Sequence, residues 1–158
     1  MSARDFADGV ADLLVNDATF AAAITALIGQ NVTRVLRSNT PLQQVFNGAH
    51  PCFVIEQGDG QAASISNDGD DFLTIGGSEQ HFETTLEIAL CWQQQDRDAA
   101  AQTRADLPER FAQLFLRNPQ PGGIFSAWLE SWSPDRGGLH PNHVWAATVR
   151  GQFIIQRD

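Results

Sequence analysis

With 158 residues the chain is long enough to bury a core without metal or disulfide staples, and one domain is the expectation at that length. Its net charge of −9 sets 19 acidic residues against 10 cations, all arginine and scattered from Arg4 to Arg157, which argues against unaided binding to a nucleic-acid backbone. The start, Met1-Ser2-Ala3-Arg4-Asp5, lacks the positive run of a signal peptide, and no apolar stretch approaches the ~20 residues of a membrane span, so a soluble intracellular protein is expected.

Asp5 to Leu14 carries Phe6, Val10, Leu13 and Leu14 at helical spacing, and Ala18 to Ile28 repeats the pattern with Phe20, Ile24, Leu27 and Ile28. Asn16 and Asp17 offer caps between the two, and Gly29 supplies a stop. Val32 to Leu36 and Cys52 to Glu56 are short strand candidates, joined through Pro41, Asn47-Gly48 and Pro51. Gln57 to Gln80 mixes five glycines with Asp59, Asp68, Asp70 and Asp71 and reads as a long exposed loop, or a loose hairpin around Phe72 to Ile75. Its acidic spacing matches a calcium loop poorly, so a solvated loop is the reading.

His81 to Trp92 alternates cleanly. Phe82, Leu86, Ile88, Leu90 and Trp92 fall on one parity and His81, Glu83, Thr85 and Glu87 on the other, which makes a strand with one buried and one wet face. Asp96 then caps a helix to Arg117 with Leu107, Phe111, Leu114 and Phe115 on one stripe, and Pro108 predicts a kink or a restart after Asp106. Asn118 to Gly123 ends it. Ile124 to Trp132 is a strand candidate placing Ile124, Trp128 and Trp132 on one parity; turn residues follow. His143 to Gln156 closes the chain, with Trp145, Ala147, Val149, Phe153 and Ile155 on one face and Arg150, Gln152 and Gln156 on the other. Helices first and antiparallel strands last predict an α+β fold, a mainly antiparallel sheet backed by helices on one face.

No constellation carries chemistry clearly. His140-Pro141-Asn142-His143 has HxxH spacing and, with a third ligand from elsewhere, would suit a small metal-dependent hydrolase; a polar loop entering a strand is the simpler reading. Cys52 and Cys91 sit in apolar runs and read as small hydrophobes rather than a disulfide framework. A thiol and base pair with His50 or His81 is conceivable, but Cys91 and His81 lie about 33 Å apart along one strand. Glu83 and Glu87, about 13 Å apart by the same rise, are too distant for a glycosidase pair. No nucleophile elbow or phosphate loop is present, so no enzyme and no cofactor is expected. Trp128 and Trp132 are either core or a contact with a neighbouring subunit.

The order of elements resembles a known family. The helical N-terminus with Leu14 to Ile28, the strand Pro51-Cys52-Phe53-Val54-Ile55-Glu56, the strand His81 to Trp92 running into an Asp/Ala-rich helix, and the strand Trp145 to Phe153 together resemble the tail terminator and tail completion proteins of tailed bacteriophages. The resemblance covers most of the chain as element order and hydrophobic texture. It implies a non-enzymatic virion protein, assembled in the host cytoplasm, that forms a hexameric ring on the tail tube, stops tube growth and presents the surface that joins the head. Its partners would be copies of itself, the tube protein and a head connector or neck protein, with DNA passing through and no membrane involved. A head-to-tail connector is the related alternative. Asp59, Asp68, Asp70 and Asp71 are expected at the channel or an axial partner, and Trp128 and Trp132 at a subunit contact.

Overall fold

Asp17 decides how the chain begins. The computed structural model describes residues 2–37, 45–62, 79–124, 126–135 and 138–156, and opens with helix α1 (Ala3–Asn16) and helix α2 (Ala18–Ile28), bent by 61° at the break. Ser2 and Asp5 form a reciprocal capping box on α1. Asp17 ends α1 through its N–H to Leu13 O and starts α2 by accepting the Phe20 N–H at 2.8 Å. Its carboxylate also accepts from Arg117 Nη2 and Asn118 Nδ2, both at 3.0 Å. Gly29 stops α2 in the left-handed conformation, φ 74°.

Burial alone would push the Asp17 carboxyl up, but the bonds from Phe20, Asn118 and Arg117 outweigh it and hold the group below its ordinary 3.8. A depressed native value contributes stability above the unfolded value and loses it as pH falls through the folded one. Asp17→Ala should therefore cost about 1–2 kcal/mol at neutral pH. In urea titrations the gap to wild type should narrow below the ordinary aspartate range; a gap that widens in acid would contradict this role.

The sheet runs in the order β1-β2-β3-β5-β4. Strand β1 (Val35–Arg37) lies parallel to β2 (Cys52–Ala62); β2 with β3 (Glu79–Gln93), β3 with β5 (Asn142–Gln156) and β5 with β4 (Ser126–Pro134) are antiparallel. The α+β layout expected from the sequence is what forms. The three α-helices among the described residues cover one face, where Phe53, Ile55, Leu86, Ile88, Leu90 and Trp92 meet Trp145, Ala147 and Val149. Phe111 sits at the centre of this core, 4.7 Å from the Trp145 ring, 5.1 Å from Phe20 and 6.2 Å from Phe53. Such contacts add roughly 0.5–1.5 kcal/mol each beyond burial.

Three sequence expectations change. The stretch read as a loop from Gln57 is strand as far as Ala62, and strand resumes at Glu79. Glycine content suggested a loop, but the long β3 supplies a partner ladder and a bulge between Gln57 and Gly60 absorbs the glycines. A Cβ on Gly58 would run into Thr85 Oγ1, so the bareness of that residue is used. Helix α3 (Arg97–Arg117) passes through Pro108 without restarting; the buried Leu107 and Phe111 anchor the turns on either side. Asp96 caps it, accepting from Asp98 N–H and Ala99 N–H at 2.9 and 3.1 Å. The first strand occupies Val35–Arg37 rather than Val32 to Leu36. Phe72 to Ile75 lie outside the described residues.

Candidate interaction surface

Among the described residues strand β4 is an edge of the sheet: it pairs with β5 on one side, and beyond that pairing its Ala127 N–H donates to Pro119 O at 2.8 Å. Between this edge and α3 runs an apolar groove of about 520 Å3, lined among others by Phe115, Leu116, Pro119, Leu129, Trp128 and Trp132. Trp132 is 53% exposed, Trp128 37% and Leu116 81%, so three large exposed apolar side chains line this groove. Single exposed apolar residues are ordinary; these line one groove and form a larger apolar patch.

The two tryptophans do not share a strand parity, contrary to expectation. Trp128 stands opposite Arg150 and Trp132 opposite Ala147, because a bulge between Leu129 and Ser131 inserts one extra residue. Trp128 therefore shares the face of Arg150 and Trp132 the helix-covered face of Ala147, while both residues border the groove.

The face of the sheet away from the helices divides into two ends. At one end Val45, Cys52 and Cys91 form a small buried cluster with Leu36, Phe46, Val54, Ala89 and Val144 around it, covered by the turn Val45–Ala49. At the other end the face is polar. Arg150 bridges strands there, with Nη1 at 2.9 Å from Glu83 Oε2 and Nη2 at 2.7 Å from Glu130 Oε1. Its guanidinium is raised above its ordinary range, first by the bond to Glu130. Gln152 Nε2 donates to Glu83 and Thr148 Oγ1 to Glu87. Glu56, Asp59, Glu83, Glu87 and Glu130 face this one arginine, which leaves the polar end acidic. An open basin of about 490 Å3 lies among Glu56, Asp59, Glu87, Thr148 and Arg150.

Asp59 is exposed, as expected, but it belongs to β2 and not to a loop; its carbonyl accepts the Thr85 hydroxyl at 3.0 Å. Asp68, Asp70 and Asp71 lie outside the described residues. Asp59 and the tryptophans do not converge: β3 and β5 separate their strands, roughly 14 Å at ordinary strand spacing.

His140 and His143 do come close, with ring centroids 5.6 Å apart. His143 is nevertheless a core residue, 1% exposed. Its Nδ1 lies 3.1 Å from Arg104 Nη1, which can only donate, so Nδ1 accepts; Nε2–H then donates to Gln94 O at 3.1 Å. Both nitrogens are thus engaged and the pair does not offer two free lone pairs to a metal. Loss of solvent, then Arg97 and His143, hold the His140 imidazole below its ordinary value. Among the described residues no group of three or more His, Cys, Asp or Glu side chains is placed to hold a metal ion.

Two relationships escaped the sequence. The Arg150 bridge joins Glu83, whose wet-face parity was legible, to Glu130, whose place depends on register and on the bulge beside it. Cys52 and Cys91 are directly opposed across β2 and β3, and both are fully buried.

No protein-family model matches the chain, and no curated protein does. Among solved structures, a chain from the "Virion of native gene transfer agent (GTA) particle" is similar at a TM-score of 0.47 and 14% identity, covering 92% of this chain and 93% of that one. At that score the likeness carries nothing over to this protein.

Proposed function

We propose that this protein is a structural subunit of a tailed-phage virion that forms a ring, hexameric by the family resemblance, at the head-proximal end of the tail tube. There it terminates tube growth and presents the surface that joins the head, without transforming any molecule. The observation that carries the reading is the apolar groove at the β4 edge with Trp128, Trp132 and Leu116 exposed beside it. A closed ring uses two different surfaces of each copy, and the aromatic groove at the sheet's edge strand would supply one of them. The acidic polar end of the sheet fits a channel wall, since it would repel the phosphates of passing DNA rather than trap them.

A head-to-tail connector would share these features and differ in its partner: a terminator binds tube ends and arrests polymerisation, whereas a connector binds portal or adaptor proteins. The hydrolase reading built on His140 and His143 is disfavoured by the engagement of both His143 nitrogens.

The pair of substitutions Trp128→Asp and Trp132→Asp tests the surface. Each side chain is at least a third exposed, so the fold should persist, with circular dichroism and melting close to wild type. Aromatic anchors at interfaces are worth about 2 kcal/mol or more each, so self-association should weaken by roughly 30-fold for one substitution and by up to roughly 1,000-fold for both. A well-folded double variant that assembles like wild type would remove the groove from the account.

A further inference from the structure

We infer that Cys52 and Cys91 form a modification site, a reversible cross-strand disulfide made when the folded protein meets a two-electron oxidant of the hydroperoxide class. The inference goes beyond the assembly reading and does not depend on it.

Register supplies the first ground: the two residues are Cα partners in the antiparallel β2–β3 ladder. The Phe53 N–H donates to Arg34 O on the β1 side at 3.0 Å, so the backbone groups of Phe53 face β1. By alternation those of Cys52 face β3, which makes Cys52 and Cys91 a hydrogen-bonded pair with Cα atoms about 5.5 Å apart. That lies inside the 4.4–6.8 Å window of disulfides. The second ground is confinement. Both thiols point to the face away from the helices and share one small apolar cluster with Val45, so each is the other's neighbour, and the oxidant has to pass the turn Val45–Ala49 to reach them.

The thiols are not equivalent. Bonding from the Cys91 thiol, against burial and with help from Arg34, lowers Cys52; bonding to Cys52 and burial raise Cys91. Cys52 is therefore the attacking sulfur. Its thiolate takes the terminal oxygen of the hydroperoxide, breaking the O–O bond and giving a sulfenic acid plus, after protonation, water or an alcohol. Cys91 sulfur then displaces hydroxide from Cys52 sulfur, forming the S–S bond; its proton leaves with the hydroxide as a second water. Two thiols are oxidised, one peroxide is reduced, and no other reactant is needed.

Reversibility follows from the same register. Cβ atoms in a directly opposed pair sit about 4.5–5.5 Å apart, whereas a disulfide draws them to about 3.8 Å, so closure pulls β2 and β3 together. A bond formed against such strain is the readily reduced kind. The site would stay open in a reducing cell and close in an oxidising exterior.

The test treats the folded, full-length chain with hydrogen peroxide, then quenches, denatures and alkylates it for intact and peptide mass measurement. The expected product is a single chain lighter by about 2 Da with no alkylated cysteine and a peptide pair joined at Cys52 and Cys91, returned to two thiols by a monothiol such as glutathione. Cys91→Ser should stop the reaction at a Cys52 sulfenic acid that a dimedone probe captures. Two thiols still alkylated after treatment, separate over-oxidation without a joined pair, or links between copies would each overturn the inference. These readouts hold for a monomer as well as for a ring, so failure of the assembly reading would leave them intact.

Discussion

Leu86→Asp should yield no cooperatively folded protein. Leu86 lies at the middle of β3 with no exposed surface, opposite Gln57 on β2 and Val149 on β5. Removing the side chain from the core alone costs about 2–5 kcal/mol. An unpaired carboxylate in its place adds several more, and the central position of β3 leaves no route to water short of flipping the strand. Together these approach or exceed the roughly 5–15 kcal/mol by which a domain of this size is stable. Inclusion bodies, or soluble protein without a melting transition, are the expected results. A soluble variant with a sharp transition would mean that β3 does not bury the Leu86 parity. Glu87→Ala, one residue on and on the wet face, is the control and should change stability by less than about 1 kcal/mol.

Gly122→Ala should lose about 3–5 kcal/mol, a large effect for one methyl group. Gly122 has φ 67° in the short turn Pro121–Gly123, and an added Cβ would fall inside the Asp5 carbonyl, with Asp5 C at 2.6 Å and Phe6 N at 3.1 Å. Those neighbours are backbone, so nothing can rotate aside. Gly9 meets the same turn from the other side, its own Cβ position blocked by the Gly122 backbone. The turn docks on α1 through two bare residues in contact, and separating them would uncover the buried Phe6 and Ile124. Gly29→Ala isolates the conformational part, because Gly29 has φ 74° with nothing within 4 Å of the added atom. It should cost only about 1–2 kcal/mol. Equal losses for the two variants in urea titrations would show that backbone contact at Gly122 contributes nothing.

Helices were legible in the sequence wherever periodicity and caps agreed. Phe6, Val10 and Leu14, then Phe20, Ile24 and Ile28, are buried at the spacing that predicted them, and Asp17, Gly29 and Asp96 cap where their chemistry suggested. Strand parity was equally readable in β3 and β5, since burial on one face writes a period of two into the residues. Register was not readable. It depends on which backbone groups two distant segments exchange, so the opposition of Cys52 to Cys91 and the span of Arg150 between Glu83 and Glu130 left no mark in either segment alone. Bulges are hidden for a related reason. The extra residue near Glu130 turned a shared parity of Trp128 and Trp132 into two, and the bulge at Gln57 to Gly60 let a glycine-rich stretch join the sheet. For the candidate surface, the sequence left Trp128 and Trp132 open between core and subunit contact, and it did not single out Leu116, because α3 carries it just off the predicted apolar stripe.

The native mass of the purified protein, measured alone and then with tail tube protein, tests the proposed role most directly. Six copies of a 17.3 kDa chain make a particle of about 104 kDa, and the account predicts a closed assembly of that order which binds tube ends and halts their growth. A species that stays at the mass of one chain under both conditions, while tubes continue to lengthen beside it, would contradict it.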